Sequence, residues 1–170
     1  ARPRPTPTRC CASTPPPSPP RASDPAVLDG NGQTAWHGQK GQALILDLGA
    51  PQRLSALLLD WQGKGAYRIE GSDDGRAWQT LRTVDAGDGG RDPIALHDAE
   101  PRYLRIRMLA AGRLAEVAVK DIDWAPTPND FITRLAKDAP RGRYPRGFLE
   151  QPYWTLVGTD GGAVAGLIGE

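Results

Sequence analysis

The chain has 170 residues, with 21 Lys and Arg against 20 Asp and Glu and a formal net charge of +1. That length holds one domain with a proper core and crowds out a second of ordinary size, and the near-balance of charge gives no global field toward nucleic acid or an anionic membrane. No run of about eighteen apolar residues is present to cross a bilayer, and the N-terminus lacks the apolar core of a secretory signal.

Residues 1–23 are dense in Pro, Ser, Thr and Arg without apolar periodicity, which predicts a disordered tail or spacer rather than a folded element. Cys10 and Cys11 are adjacent and are the chain's only two cysteines, so neither a structural disulfide nor a zinc site is expected of them. From Asp24 to Trp124 short apolar runs alternate with Gly and Asp turns, the texture of an all-β sandwich or barrel. The pattern predicts strands at Ala43–Leu48, Leu54–Trp61, Ala66–Gly71, Trp78–Thr83, Pro93–His97, Arg102–Met108 and Leu114–Lys120.

Within these, Tyr67 and Ile69 alternate with Arg68 and Glu70, which places the first pair on a core and the second in water. Asp73, Asp74 and Gly75 supply a tight turn, and Trp78 is expected to cap the hairpin's packing beyond it. Leu104, Ile106 and Met108 share one face, and the nearly unbroken apolar run Leu54–Leu59 suits a central strand covered on both sides. Asp29 to Thr34 form an oxygen-rich loop that suits either a hard cation or a plain Asx turn. The segments after Trp36, Trp61, Val84 and Ala110 are polar, glycine-rich loops, where the contacts of a binding module belong.

After Trp124, APTP reads as a linker and Asn129–Ala139 as a short helix with Asn129 as N-cap and Phe131, Ile132 and Leu135 as its apolar stripe. The remainder, with Tyr144, Phe148, Tyr153 and Trp154, reads as the opening of a further domain, giving the division 1–23, 24–124 and 125–170. No catalytic constellation is visible. Neither His37 nor His97 has a nucleophile motif around it, Asp73 and Asp74 point apart in a turn, and GDGGRD at 87–92 lacks the context of a phosphate loop.

Six pieces in order, AVLDGNGQTAW, ALILDLG, LSALLLDW, AYRIEGSDDGRAW, RYLRIRM and LAEVAV, resemble the discoidin or coagulation factor 5/8 type C domain, including its bacterial carbohydrate-binding family 32 members, over roughly residues 26 to 124. The resemblance implies a jelly-roll β-sandwich of the galactose-binding-like kind. It also implies a structural calcium held by Asp29, Asn31, Thr34 and Glu116. The strand that precedes the DG motif in that family would lie in the proline-rich tail, so an edge strand is expected to be missing or replaced.

For a glycan ligand, which needs an aromatic face and fixed polar groups, the candidates are Trp36, His37, Lys40, Trp61, Gln62, Lys64 and Arg91, with both tryptophans leaning to structural roles. The implied protein is a non-catalytic carbohydrate-binding domain, monomeric, secreted or periplasmic, joined to a downstream domain. GRYPRGFLEQPYWTLVG resembles the opening of bacterial glycosidases attached to discoidin domains, and the composition looks bacterial. The loops QGKG, DAGDGGRD and AAGR are too polar or small for membrane insertion. The competing expectation is a structural or protein-interaction domain packed on its neighbour.

Overall fold

In the computed structural model the described residues are 19–87 and 89–138. Most of the expected tail, Cys10 and Cys11, and the aromatics Tyr144, Phe148, Tyr153 and Trp154 lie outside them. The strands are β1 (Arg21–Ala22), β2 (Trp36–Gly38), β3 (Ala43–Asp47), β4 (Leu54–Trp61), β5 (Gly65–Ser72), β6 (Gln79–Gly87), β7 (Gly90–Ala95), β8 (Tyr103–Met108) and β9 (Gly112–Asp121), followed by helix α1 (Pro128–Asp138). They form two sheets, ordered β1-β3-β8-β5-β6 and β2-β9-β4-β7, with antiparallel pairing throughout the described residues. The expected β-sandwich is the observed fold.

The core lies between the sheets because each strand alternates. Leu44 and Leu46, Tyr67 and Ile69, and Leu104 and Ile106 project inward from the larger sheet to meet Leu57, Leu59, Ile94 and Leu114 of the smaller, and all are buried. β4 is central, as its apolar run predicts: its other face, at Ala56 and Leu58, is covered by α1, whose Phe131 is wholly buried against Ala56, Ala95 and Ala125. The segment expected to be a linker and short helix therefore packs on the sandwich through its apolar stripe. Its N-cap is Thr127, not Asn129. The Thr127 hydroxyl accepts the Asp130 N–H (3.1 Å), the Asp130 carboxylate accepts the Thr127 N–H (3.1 Å), and Pro128 opens the helix where no amide is needed. His97 is half-buried beside Phe131 and pairs through Nε2 with the Ala125 carbonyl at 2.8 Å.

Several boundaries differ from expectation. The edge strand is replaced by the two-residue β1, which pairs with β3 and lies inside the expected tail. β6 runs on to Gly87 and β7 begins at Gly90, so the predicted glycine-rich loop is a tight connection. Pro93 is accommodated because β7 is an edge strand. Glu70, expected in water, is buried because Arg105 and Arg107 both reach its carboxylate. Trp78 likewise leaves the core for the outer face, where the Arg105 guanidinium stands 4.2 Å from its ring centre. The turn itself forms as expected: Gly75 has φ +72°, and the Asp74 carboxylate accepts the Arg76 and Ala77 amides at 2.8 and 2.9 Å.

Candidate functional site

Strand register decides which loops share an end. Gly38 lies opposite Gly112, Ala43 opposite Arg107, Gly65 opposite Gly87, and Trp61 opposite both Gly90 and Leu114. The connections at 39–42, 62–64, Gly89 and 109–111 therefore emerge at one end of the sandwich, and all seven glycan candidates lie at it. They divide by burial. His37, Lys40, Lys64 and Arg91 are exposed, Gln62 and Trp36 are half-buried, and Trp61 is 5% exposed.

Trp61 is a core residue, which corrects its place among the loop candidates. It stacks on Tyr67 (centroids 4.8 Å apart, planes at 28°), and the Tyr67 hydroxyl donates across the sandwich to Asp92 at 2.7 Å. Trp36 is also structural: its ring packs on the core and fills the space where any side chain at Gly38 would stand, a Gly38 Cβ falling 2.5 Å from it. Gln62 is engaged on two sides, its Nε2 donating to the Gly32 carbonyl at 2.7 Å and its amide to the Arg113 carbonyl at 2.8 Å. Arg91 makes a two-point contact with Asp60, at 2.7 and 2.8 Å. Sequence reasoning missed Asp60 and Arg113. Asp60 lies opposite Arg91, and Arg113 is exposed opposite His37, so strand register was the signal that would have found both.

The four calcium candidates are brought together. The Asp29 carboxylate accepts the Asn31 amide at 2.8 Å, and Asn31 Oδ1 accepts the Gln33 amide at 3.1 Å, so the loop is an Asx turn in its own right. Around the Thr34 hydroxyl, however, stand Asp29 Oδ2 (2.8 Å), the Asn31 carbonyl (2.7 Å) and the Ala26 carbonyl (3.4 Å). A hydroxyl has one proton and can serve only one of these three acceptors. Glu116, opposite Asp60 on β9, adds a carboxylate whose Oε1 is buried without a hydrogen-bond partner. Burial first, then the Asp29 charge, pushes the Glu116 carboxyl above the ordinary range, whereas the Thr34 hydroxyl and the Asn31 amide hold Asp29 below it. A surplus of oxygen acceptors, two of them carboxylates, fits a hard divalent cation. Asn31 would take part through its carbonyl, since its side-chain oxygen is committed to the turn.

Three comparisons bear on this geometry. The F5/8 type C domain family model matches residues 11–119. No curated protein matches the chain. Among solved structures, chitosan-binding module 2 from a chitosanase/glucanase of Paenibacillus sp. IK-5, in complex with chitotriose, has 23% identity and a TM-score of 0.51, covering 60% of this chain and 95% of that one. A module of Clostridium perfringens, CpGH89CBM32-5, in complex with GalNAc-β-1,3-galactose, has 15% identity and a TM-score of 0.52, covering 60% and 94%. A pectin-binding carbohydrate-binding module has 18% identity and a TM-score of 0.51, covering 61% and 89%. At these identities the likeness is one of fold. With the family match extending over most of the sandwich, the chain belongs to the F5/8 type C domain family.

Proposed function

We propose that this chain is a non-catalytic carbohydrate-binding domain that binds glycans through the loop end carrying His37, Lys40, Lys64 and Arg91. The observation that carries the reading is the convergence of these exposed polar side chains on a rigid end of the sandwich, floored by the Trp61–Tyr67–Asp92 cluster. Polar side chains over a packed floor are what sugar hydroxyls require, and a donor already held, as Arg91 is by Asp60, lowers the ordering entropy that binding costs. That solved structures of the same fold include modules complexed with chitotriose and with GalNAc-β-1,3-galactose supports the reading.

A calcium ion held by Asp29, Thr34, Glu116 and the Ala26 and Asn31 carbonyls would neutralise the two carboxylates and pin the 29–34 loop. Gly32 of that loop accepts from Gln62, so stiffness there passes directly into the 62–64 loop. Asp29 and Glu116 are not an acid–base pair for glycoside hydrolysis. Asp29 is committed to the Thr34 hydroxyl and the Asn31 amide, whereas a glycosidase pair faces a shared cleft about 5 Å or more across to admit a sugar. In a longer secreted or periplasmic bacterial protein, weak binding here would raise the effective concentration of an attached catalytic domain on its polymer.

A glycan array probed with the 170-residue chain, with calcium and with a chelator, tests the proposal. Binding to a defined sugar set that Lys64→Ala and Arg91→Ala weaken is the expected result. Silence across the array from a folded protein would overturn it in favour of a packing domain.

A further inference from the structure

The outer face of the five-stranded sheet carries an arrangement that folding alone does not favour. β5 presents Arg68 and Glu70 outward, and β8 presents Arg105 and Arg107. Register sets Glu70 opposite Arg105 but Arg68 opposite Arg107. Side chains directly opposite in an antiparallel pair stand about 5 Å apart, and like charges so placed are destabilising. Among the described residues the carboxylate that pairs with these arginines is Glu70, shared between Arg105 and Arg107, whose Nε lies 3.4 Å from it. No salt bridge among the described residues engages Arg68, and its Nε is buried without an acceptor. Three guanidiniums therefore gather in the middle of a sheet, and among the described residues their salt bridges draw on one carboxylate. Beside them lie Ile45, 39% exposed, and Trp78 under Arg105.

We infer that this face is a second binding surface, which takes the carboxylate or sulfate groups of an acidic polysaccharide between Arg68 and Arg107. Two planar donor forks side by side suit an oxyanion, and its charge would remove the repulsion that the empty pair carries. Ile45 and Trp78 add apolar area for a sugar's C–H face. The surface is continuous with the loop end: Arg107 Nη1 donates to the Gly41 carbonyl (3.4 Å) in the β2–β3 connection that carries Lys40. A polymer held by the loops could thus run down the sheet. Nucleic acid suits it less, since its affinity grows with the number of phosphates neutralised and the face gathers only a few arginines. The inference rests on the glycan-binding reading for the polymer's chemistry, but it uses different residues.

The test is calorimetric titration of the 170-residue chain, at one fixed calcium concentration, with a short oligogalacturonate as carboxylate probe and a chondroitin sulfate oligosaccharide as sulfate probe. A neutral galacto-oligosaccharide, a DNA duplex and a poly-glutamate peptide are the comparison ligands. At least one acidic sugar should bind, and Arg68→Gln with Arg107→Gln should weaken it about ten-fold or more. Arg76→Gln with Lys137→Gln, the same charge change at exposed positions elsewhere, should leave it unchanged. Removing the like-charge opposition should leave the Arg68→Gln variant melting at or above the wild type, which shows that it folds. Arg68→Lys should keep part of the affinity. The inference is overturned if neither acidic sugar binds, if both double variants lose affinity alike, or if DNA or poly-glutamate binds more tightly than the acidic sugars. Neutral-glycan binding that needs Lys64 but not Arg68 would sustain the loop reading alone. The reverse result would sustain this surface alone.

Discussion

The oxygen cage at Thr34 gives a prediction in which one substitution changes sign with calcium. Glu116→Gln keeps the side chain's shape and removes its charge. Without calcium the wild type holds Glu116 beside Asp29, and burial and that neighbouring charge both disfavour its ionised form. A group with a raised folded pKa contributes its stability below the unfolded value, and that contribution is lost as pH rises through the folded value, so at pH 7 the ionised Glu116 opposes folding. In chelator the Gln variant is therefore expected to melt at or above the wild type. With calcium the order reverses. At a concentration about a hundred times Kd, a single site that binds only the folded state stabilises it by about 2.7 kcal/mol. For a sandwich of this size that raises Tm by about 10 °C. Glu116→Gln removes one of two ligand charges and should lose most of that gain. Differential scanning calorimetry at pH 7, in chelator and in calcium up to about 10 mM, the weak end of extracellular sites, reads both differences. A wild type unmoved by calcium, or a variant destabilised equally in both buffers, refutes the cage as a cation site.

Further outcomes follow from the same contacts. Trp61→Ala opens the floor of the loop end and should cost about 3–5 kcal/mol, read by urea denaturation at constant m; intact stability with lost glycan affinity would return Trp61 to the ligand. Phe131→Ala removes the only fully buried side chain of α1 among the described residues, and should release the helix as a local event. Amide exchange would then quicken at 129–138 while β5 and β8 stay protected, and protection lost across both sheets would mean the helix belongs to the core's cooperative unit. Asp74→Ala should lower Tm at pH 7, because the Arg76 and Ala77 amides hold the Asp74 carboxyl below its ordinary range in the folded state. A depressed folded pKa contributes stability that is present above the unfolded value and lost as pH falls through the folded one. The gap between the two proteins should thus close as pH falls, and a gap that stays constant through acid would trace instead to the backbone of the turn.

How much the sequence revealed follows from how local each feature is. Period-two alternation needs only neighbouring residues, so β3, β4, β5 and β8 were placed to within a residue or so at each end, and the turn at Asp73–Gly75 was legible because its chemistry is confined to a few positions. β1 and β2 are two and three residues long, too short for any period to show. They exist because a neighbouring strand offers unpaired backbone groups, which is information that lies 20 to 80 positions away along the chain. The same distance explains Trp61, Trp78 and Glu70. Trp61 ends an apolar strand and begins a polar loop, and only the Tyr67 ring arriving from the opposite sheet makes it core. Glu70 obeys its outward alternation, yet it is buried, because β8 happens to set two arginines over it. Where a sheet concentrates charge that its own strands do not neutralise, as at Arg68 and Arg107, local pattern and folded environment disagree most. Such disagreement is expected where selection has acted on binding rather than on stability.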